Sequence, residues 1–291
     1  MERVDVAIVG GGPAGMAAAH AAASDGVDAV VLEKGVPRAD RQQLGPDSTD
    51  AAGILDYWVE IMDIHPDEFP DDVLLQHLDR AEFIGPTESC TLTSTGIDSD
   101  YEHFGYTFNR ARFDDWLRER AEAAGATYRV GVRVRGVDSD HTASDEPRHT
   151  IHTADGDDIG ADFLVLADGP QRTVTNPVLD DYLPDETAAS ERLAAPTANH
   201  IAYQEYRRFP NEVFAELNTA IKFWWGHMPG HTAYPWVFPN DNRVCRVGLT
   251  MPIGLDLDAI DDREAYPLIH PDDESIPDGA TYIRRLLELV W

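Results

Sequence analysis

Two hydrophobic periods alternate along the chain, and the places where one gives way to the other mark its elements. An apolar, β-branched run at 4–9 predicts a strand, the glycine-rich turn 10–15 follows, and the small residues 16–23 predict a helix. A second strand is expected at 28–33, then a polar stretch punctuated by Gly35, Pro37, Gly45 and Pro46. An amphipathic helix is expected over 51–62, ended by His65-Pro66, and two strands over 78–84 and 88–95, separated by Gly85-Pro86. Helical spacing returns at Phe113, Trp116, Leu117 and Ala121 and stops at Gly125. Residues 127–137 and 148–153 read as two antiparallel strands around a polar loop, and 162–167 as a parallel strand buried on both faces. Beyond Pro184 come aromatic-rich strands at 200–209, 220–226, 232–238 and 243–251, which predict a separate antiparallel sheet. Tyr282, Ile283, Leu286, Leu287 and Val290 mark an apolar-periodic helix running to Trp291, and an exposed helix ending on an aromatic residue reads as a chain cut short.

The first three elements form a dinucleotide-binding unit. Gly10, Gly12 and Gly15 have the G-x-G-x-x-G spacing, with Pro13 and Ala14 between them. Gly10 permits the sharp turn, Gly12 lets backbone approach a pyrophosphate, and Gly15 lets the helix sit close on the sheet. The anion then meets the free N–H groups at the helix start. Glu33 ends the second strand at about the 20-residue distance from which an acid reaches ribose hydroxyls. A second anion would be repelled there, which excludes a 2′-phosphate and leaves FAD or NAD.

Composition narrows the class. The 291 residues carry 53 Asp and Glu against 23 Lys and Arg, a formal net charge of −30, and Lys34 and Lys222 are the only lysines. A surface so acidic excludes nucleic-acid binding, which needs clustered cations. Acid spread along the chain with so little lysine is expected of a protein kept soluble in molar salt, where the Debye length falls to about 3 Å. The implied home is a halophile's cytoplasm, with contact at a membrane surface left open. Cys90 and Cys245 form no CxxC pair, no zinc-type spacing is present, and neither a disulfide nor a metal is expected. No signal peptide and no membrane-spanning run is expected either.

Four segments, in order, resemble the geranylgeranyl reductase family within the wider group of FAD-dependent aromatic hydroxylases. The first is the turn with Glu33 and Lys34, similar to the FAD-type fingerprint. The second, Tyr106 to Asp114, looks like the R-x-x-F-D segment, and the resemblance places Arg110 by the FAD phosphates. Read by itself, Arg110 opens a helix, where the dipole disfavours a cation unless an anion lies near, and a surface arginine is the alternative. The third, 164–169, resembles the Asp-Gly segment that closes over the cofactor, giving Asp168 and Gly169 that role, although Asp-Gly is also a common turn. The fourth, 229–239, resembles the Y-x-W-x-F-P signature lining the prenyl cavity, and carries Tyr234, Trp236 and Phe238. Spacing alone puts these three on one strand face, as cavity lining or as core. By the same resemblance the Val134 backbone amide meets the adenine.

The expected fold is α/β, a Rossmann-like FAD-binding domain with a second antiparallel-sheet substrate domain, as in aromatic hydroxylases and geranylgeranyl reductases. The FAD domain is expected over 1–73 and 105–183, the substrate domain over 74–104 and 184–291. Two departures accompany the resemblance: nothing answers to the family's second FAD segment with its Gly-Asp pair, and the loop Gln43-Leu-Gly-Pro46 lacks the family's cysteine. No catalytic acid is assigned; His231 and Tyr234 are candidates by position only. The resemblance implies an FAD-dependent oxidoreductase that saturates prenyl double bonds of archaeal lipid precursors, its substrate a prenyl lipid or another hydrophobic small molecule. The electron donor, NAD(P)H or ferredoxin, stays open. The alternatives are an FAD-dependent hydroxylase, an NAD-dependent dehydrogenase, or a truncated nucleotide-binding relative without activity.

Overall fold

The computed structural model describes residues 1–36, 52–98, 101–140, 147–184, 188–194 and 198–291. In chain order the elements begin β1 (Glu2–Val9), α1 (Pro13–Ser24), β2 (Ala29–Glu33), β3 (Gly53–Leu55), α2 (Asp56–Met62), β4 (Leu74–Leu78), β5 (Arg80–Ile84) and β6 (Ser89–Leu92). There follow β7 (Gly105–Phe108), α3 (Arg110–Ala123), β8 (Thr127–Val130), β9 (Val134–Ser139), β10 (His149–Thr153), β11 (Ile159–Leu166), α4 (Thr175–Asp180) and α5 (Ala189–Arg192). The last are β12 (His200–Arg208), α6 (Asn211–Leu217), β13 (Ala220–Trp224), β14 (Tyr234–Pro239), β15 (Val244–Pro252) and α7 (Gly279–Val290). They divide into one unit of Met1–Pro46 with Ala111–Ala198 and another of Asp47–Arg110 with Asn199–Trp291.

The first unit is built on a six-stranded sheet in the order β8-β2-β1-β11-β10-β9. β8, β2, β1 and β11 run parallel, and β10 and β9 add antiparallel pairs. β2 is apolar at every position but its last because both its faces are covered. Val30 and Leu32 pack with Val9 and Ile151 on one side, Ala29 and Val31 with Met16 and Ala19 of α1 on the other. Burying a valine such as Val31 stabilises by about 1.5–3 kcal/mol. The alanines of α1 let it lie close to the strands, and Gly26, at φ +78°, ends the helix.

Two strand expectations change here. The run at 127–137 is two strands, broken at Gly131 (φ +77°), so that β8 joins β2 in parallel while β9 turns to pair with β10. β11 is parallel to β1 as expected but not buried on both faces: Phe163 is 61% exposed, with the Arg148 guanidinium over its ring. Leu164 and Leu166 face one core and Val165 and Ala167 the other, so both faces are covered only towards the carboxyl end.

In the second unit a six-stranded sheet has the order β12-β15-β14-β13-β5-β6, and β3-β7-β4 form a small antiparallel one. The larger sheet is antiparallel except where β5 lies parallel to β13. The strand expected at 78–84 is divided at Asp79, because β4 and β5 enter different sheets and the Asp79 and Arg80 amides both bond the Thr219 carbonyl. The helix expected at 51–62 is shorter: Gly53–Leu55 pairs with β7, and only Asp56–Met62 is helical. Since β3 and β7 pair within this sheet, 52–73 and 105–110 belong with the second unit, whereas the expected boundaries put them with the first. Residues 188–194, expected in the second domain, fall in the first unit.

α7 is not an exposed helix. Tyr282, Ile283 and Leu286 are fully buried against Leu249, Leu257 and Leu268, and Asp278 caps the helix through the Thr281 amide at 2.7 Å. Cys245 lies in the same core, where burial pushes its thiol up to about 12, and Cys90 is exposed; both are free. Among the described residues no helix is long and apolar enough to cross a membrane.

Candidate nucleotide site

The glycine turn is shaped by what surrounds it. Gly10 has φ +107°, and a Cβ there would lie 2.1 Å from the Ala167 carbonyl oxygen, so the turn presses on the end of β11. A Cβ on Gly15 would lie 1.9 Å from the Gly10 carbonyl oxygen, which fixes the approach of α1 to the turn. Gly11 is closed by the Tyr128 ring, 2.7 Å from where its Cβ would be. Gly12 differs: nothing stands within 4 Å of its Cβ position. Its carbonyl accepts the Met16 amide at 3.0 Å, the first bond of α1, and Pro13 starts the helix.

Glu33 reaches back over this turn. Its carboxylate accepts the Gly11 amide at 2.7 Å and the Gly35 amide at 2.6 Å. Burial, and secondarily the Glu33 charge, push the neighbouring Tyr128 hydroxyl up to about 12, so the ring stays neutral. At the end of β11 the Asp168 carboxylate accepts the Val174 amide at 2.7 Å, the Thr175 amide and the Thr175 hydroxyl. It thereby ties the Asp168-Gly169 turn to the start of α4, and Gly169 holds φ +80°.

These parts enclose a cleft of about 220 Å³ within the first unit. Gly10, Gly12, Glu33, Lys34, Val134, Asp168 and Gly169 line it, so seven of the residues singled out by sequence meet at one place. Pro13, Ala14 and Gly15 sit in the first turn of α1. Val9, Leu32, Val132, Thr173 and Val174 also line the cleft and belong to no motif, and Ala167 comes from the 164–169 segment. Gly131 is the one signal that could have found Val132: a glycine breaking an apolar run marks the chain turning away from β2, and the Val132 amide bonds the Glu33 carbonyl at 3.0 Å. Arg110 is the first residue of α3. Gln43 to Pro46 lie outside the described residues.

The cleft suits a dinucleotide: an open Cβ position at Gly12, at the N-terminus of α1, leaves room for an anion, and Glu33 keeps free lone pairs for hydroxyl donors. A family model described as an FAD binding domain matches residues 3–181. The chain belongs to this FAD-binding family. Its cofactor is FAD, which decides between the two nucleotides the sequence leaves open.

This FAD-binding chain spans only part of the length of the proteins it resembles, from 36% to 62% of those that follow. Protein FixC of Salmonella typhi is 29% identical over 167 residues, covering 57% of this chain and 36% of the relative. Digeranylgeranylglycerophospholipid reductase 1 of Methanopyrus kandleri is 27% identical over 251 residues, covering 84% and 57%. A crystal structure of a geranylgeranyl bacteriochlorophyll reductase-like protein from Thermoplasma acidophilum superimposes with a TM-score of 0.66 at 22% identity. It covers 100% of this chain and 62% of that one, and establishes the shared fold.

The second unit carries the aromatic stripe. Tyr234, Trp236 and Phe238 alternate along β14 with ring centroids 6.2 Å apart at each step, and Phe223 of β13 meets Tyr234 and Phe238 at 5.6 Å. Trp236 and Phe238 are buried with Leu78 and Ile221, Tyr234 is half-buried, and Trp225 beside it is 52% exposed. The stripe is therefore core at one end and surface at the other. Trp236 fits flat against β15 because its cross-strand partner is Gly248, and its buried Nε1 has no hydrogen-bond partner. His231 is exposed; burial raises the Tyr234 hydroxyl above its ordinary value.

Proposed function

We propose that this chain contributes the nucleotide site and the hydrocarbon-binding face of an FAD-dependent oxidoreductase that saturates prenyl chains. The aromatic face of β14 is the observation that carries this reading beyond FAD binding: a run of rings that is buried at Phe238 and open at Trp225 offers an alkyl chain apolar contact. Similarity to the reductases above supports it. FAD, when bound, supplies hydride chemistry. Everything else is done by the chain: Gly12 gives room for the pyrophosphate, the first turn of α1 presents N–H groups to it, Glu33 holds the ribose, and the Val134 amide meets the adenine. Lys34, Asp168 and Gly169 border the same nucleotide, and Arg110 is given the phosphates. Tyr234 keeps its proton at neutral pH, so it is the candidate proton source at the aromatic face.

The test is anaerobic spectroscopy of the protein purified in molar salt with added FAD. Flavin bands bleached by dithionite and restored by a geranylgeranyl lipid support the reading. Recovery only on admission of oxygen, accelerated by an aromatic acceptor, would assign the chain to the hydroxylases instead.

A further inference from the structure

We propose that His77, Asp79 and His103 hold a divalent transition-metal ion of the zinc type, at a site in the second unit separate from the nucleotide cleft. One nitrogen of each imidazole and one Asp79 carboxylate oxygen all lie within 4.8 Å of one another. The two rings face each other at 4.3 Å between centroids, 18° from parallel. The three side chains nevertheless make no hydrogen bond or ion pair with one another. The three ligand atoms are gathered within reach of one small ion, which they hold once the stacked rings tilt so that their in-plane lone pairs meet.

The backbone brings this about. His77 and Asp79 flank Leu78, which is fully buried, so the two polar side chains leave the chain on the side away from that core. β4 pairs with β7 through Leu78 and Gly105, which carries the segment containing His103 alongside. A Cβ at Gly105 would lie 2.3 Å from the Ile54 carbonyl oxygen, so that strand cannot drift, and the Tyr106 ring meets His103 edge-on at 5.8 Å. Position is thus set by buried neighbours while the ligand atoms stay near solvent.

Donor chemistry selects the ion. Two imidazoles with one carboxylate suit Zn²⁺ and its first-row neighbours and are poor for Ca²⁺ or Mg²⁺, which take oxygen ligands. Zinc–nitrogen bonds of about 2.0–2.1 Å need the three atoms drawn closer by a rotation of the exposed His77 and Asp79 side chains. Water completes the coordination. Two imidazoles resting against each other by chance are the plain alternative. An ion here would pin the segment before β7 to the β4–β5 junction.

The experiment titrates the chelator-treated 291-residue chain without FAD with Zn²⁺ alone by calorimetry, and repeats it with H77Q, H103Q, D79N and the control H20Q in α1. Circular dichroism checks that each variant is folded. One ion per chain is expected, with affinity lowered at least tenfold in H77Q and H103Q, lowered in D79N and unchanged in H20Q. Saturating Zn²⁺ should raise the melting temperature of the wild type and not that of H77Q. No uptake, or equal affinity in wild type, H77Q and H103Q, overturns the site and leaves adventitious surface binding only. Flavin binding plays no part in this readout, so its outcome is independent of the reading above.

Discussion

The Glu33 carboxylate accepts a hydrogen bond from the Gly11 amide at 2.7 Å, so the acid that ends β2 also clamps the turn that follows β1. Its other oxygen holds the Gly35 amide at 2.6 Å. The carboxylate thus shapes the turn before any nucleotide arrives. E33Q replaces one acceptor oxygen with an NH₂ that faces an amide donor. We expect it to destabilise the protein without FAD by about 1–3 kcal/mol, the cost of an unsatisfied part-buried group, and also to weaken FAD binding. Urea unfolding and flavin titration check the two effects separately.

Gly15→Ala is expected to fail through packing. Its Cβ would meet the Gly10 carbonyl oxygen at 1.9 Å, and backbone on both sides must shift to relieve the contact. A loss of about 1–3 kcal/mol is expected, with flavin lost in proportion as α1 is displaced. Thermal unfolding with and without FAD measures it.

Gly248→Ala should act in the second unit, through Trp236. The added methyl would lie 2.5 Å from the indole ring, at a cost of about 1–3 kcal/mol. In a W236L background the ring it strikes is gone, so the same substitution should cost clearly less. A double-mutant cycle in urea gives the coupling.

His152 gives the first unit a pH-dependent contribution. Its ring nitrogens contact Asp138 and Asp158 at 3.0 Å, and those hydrogen bonds, Asp138 foremost, raise its pKa above the ordinary value. A folded-state pKa above the unfolded one means that the stabilisation is complete below the unfolded value, about 6.5, and is lost as pH rises through the folded value. H152N should therefore lower the melting temperature more at pH 5.5 than at pH 9. All three side chains reach solvent, Asp138 most of all, so the difference should shrink in molar salt.

The nucleotide unit is legible in the sequence because its chemistry is local. β1, the glycine turn, α1 and β2 are contiguous; Gly15 is demanded by the Gly10 carbonyl five residues back and Gly10 by the end of the neighbouring strand β11, while Gly12 has no neighbour at its Cβ position. What the sequence hides depends on partners far along the chain. The stretches at 78–84 and 127–137 read as single strands, yet Asp79 and Gly131 are where the chain changes sheet or partner, and only the pairing shows which strand each half joins. Phe163 is apolar and exposed because the layers covering Val165 and Ala167 do not reach it. Asp168 reads as a loop residue, whereas its capping of α4 depends on a turn six residues on. His103 is too distant from His77 for any spacing rule to join them, and only the β4–β7 pairing does so.

The most direct test of the nucleotide site is FAD titration of the wild type and Gly12→Ala, followed by flavin fluorescence and paired with melting curves of both proteins without FAD. Gly12 has φ −77° and no atom within 4 Å of its Cβ position, so the substitution strains nothing in the folded chain. The account predicts a wild type that binds FAD, unchanged melting of the variant, and an affinity reduced at least tenfold, because the new methyl stands where the pyrophosphate must lie. A variant that melts like the wild type and binds FAD equally well, or a folded wild type that takes up none, would contradict it.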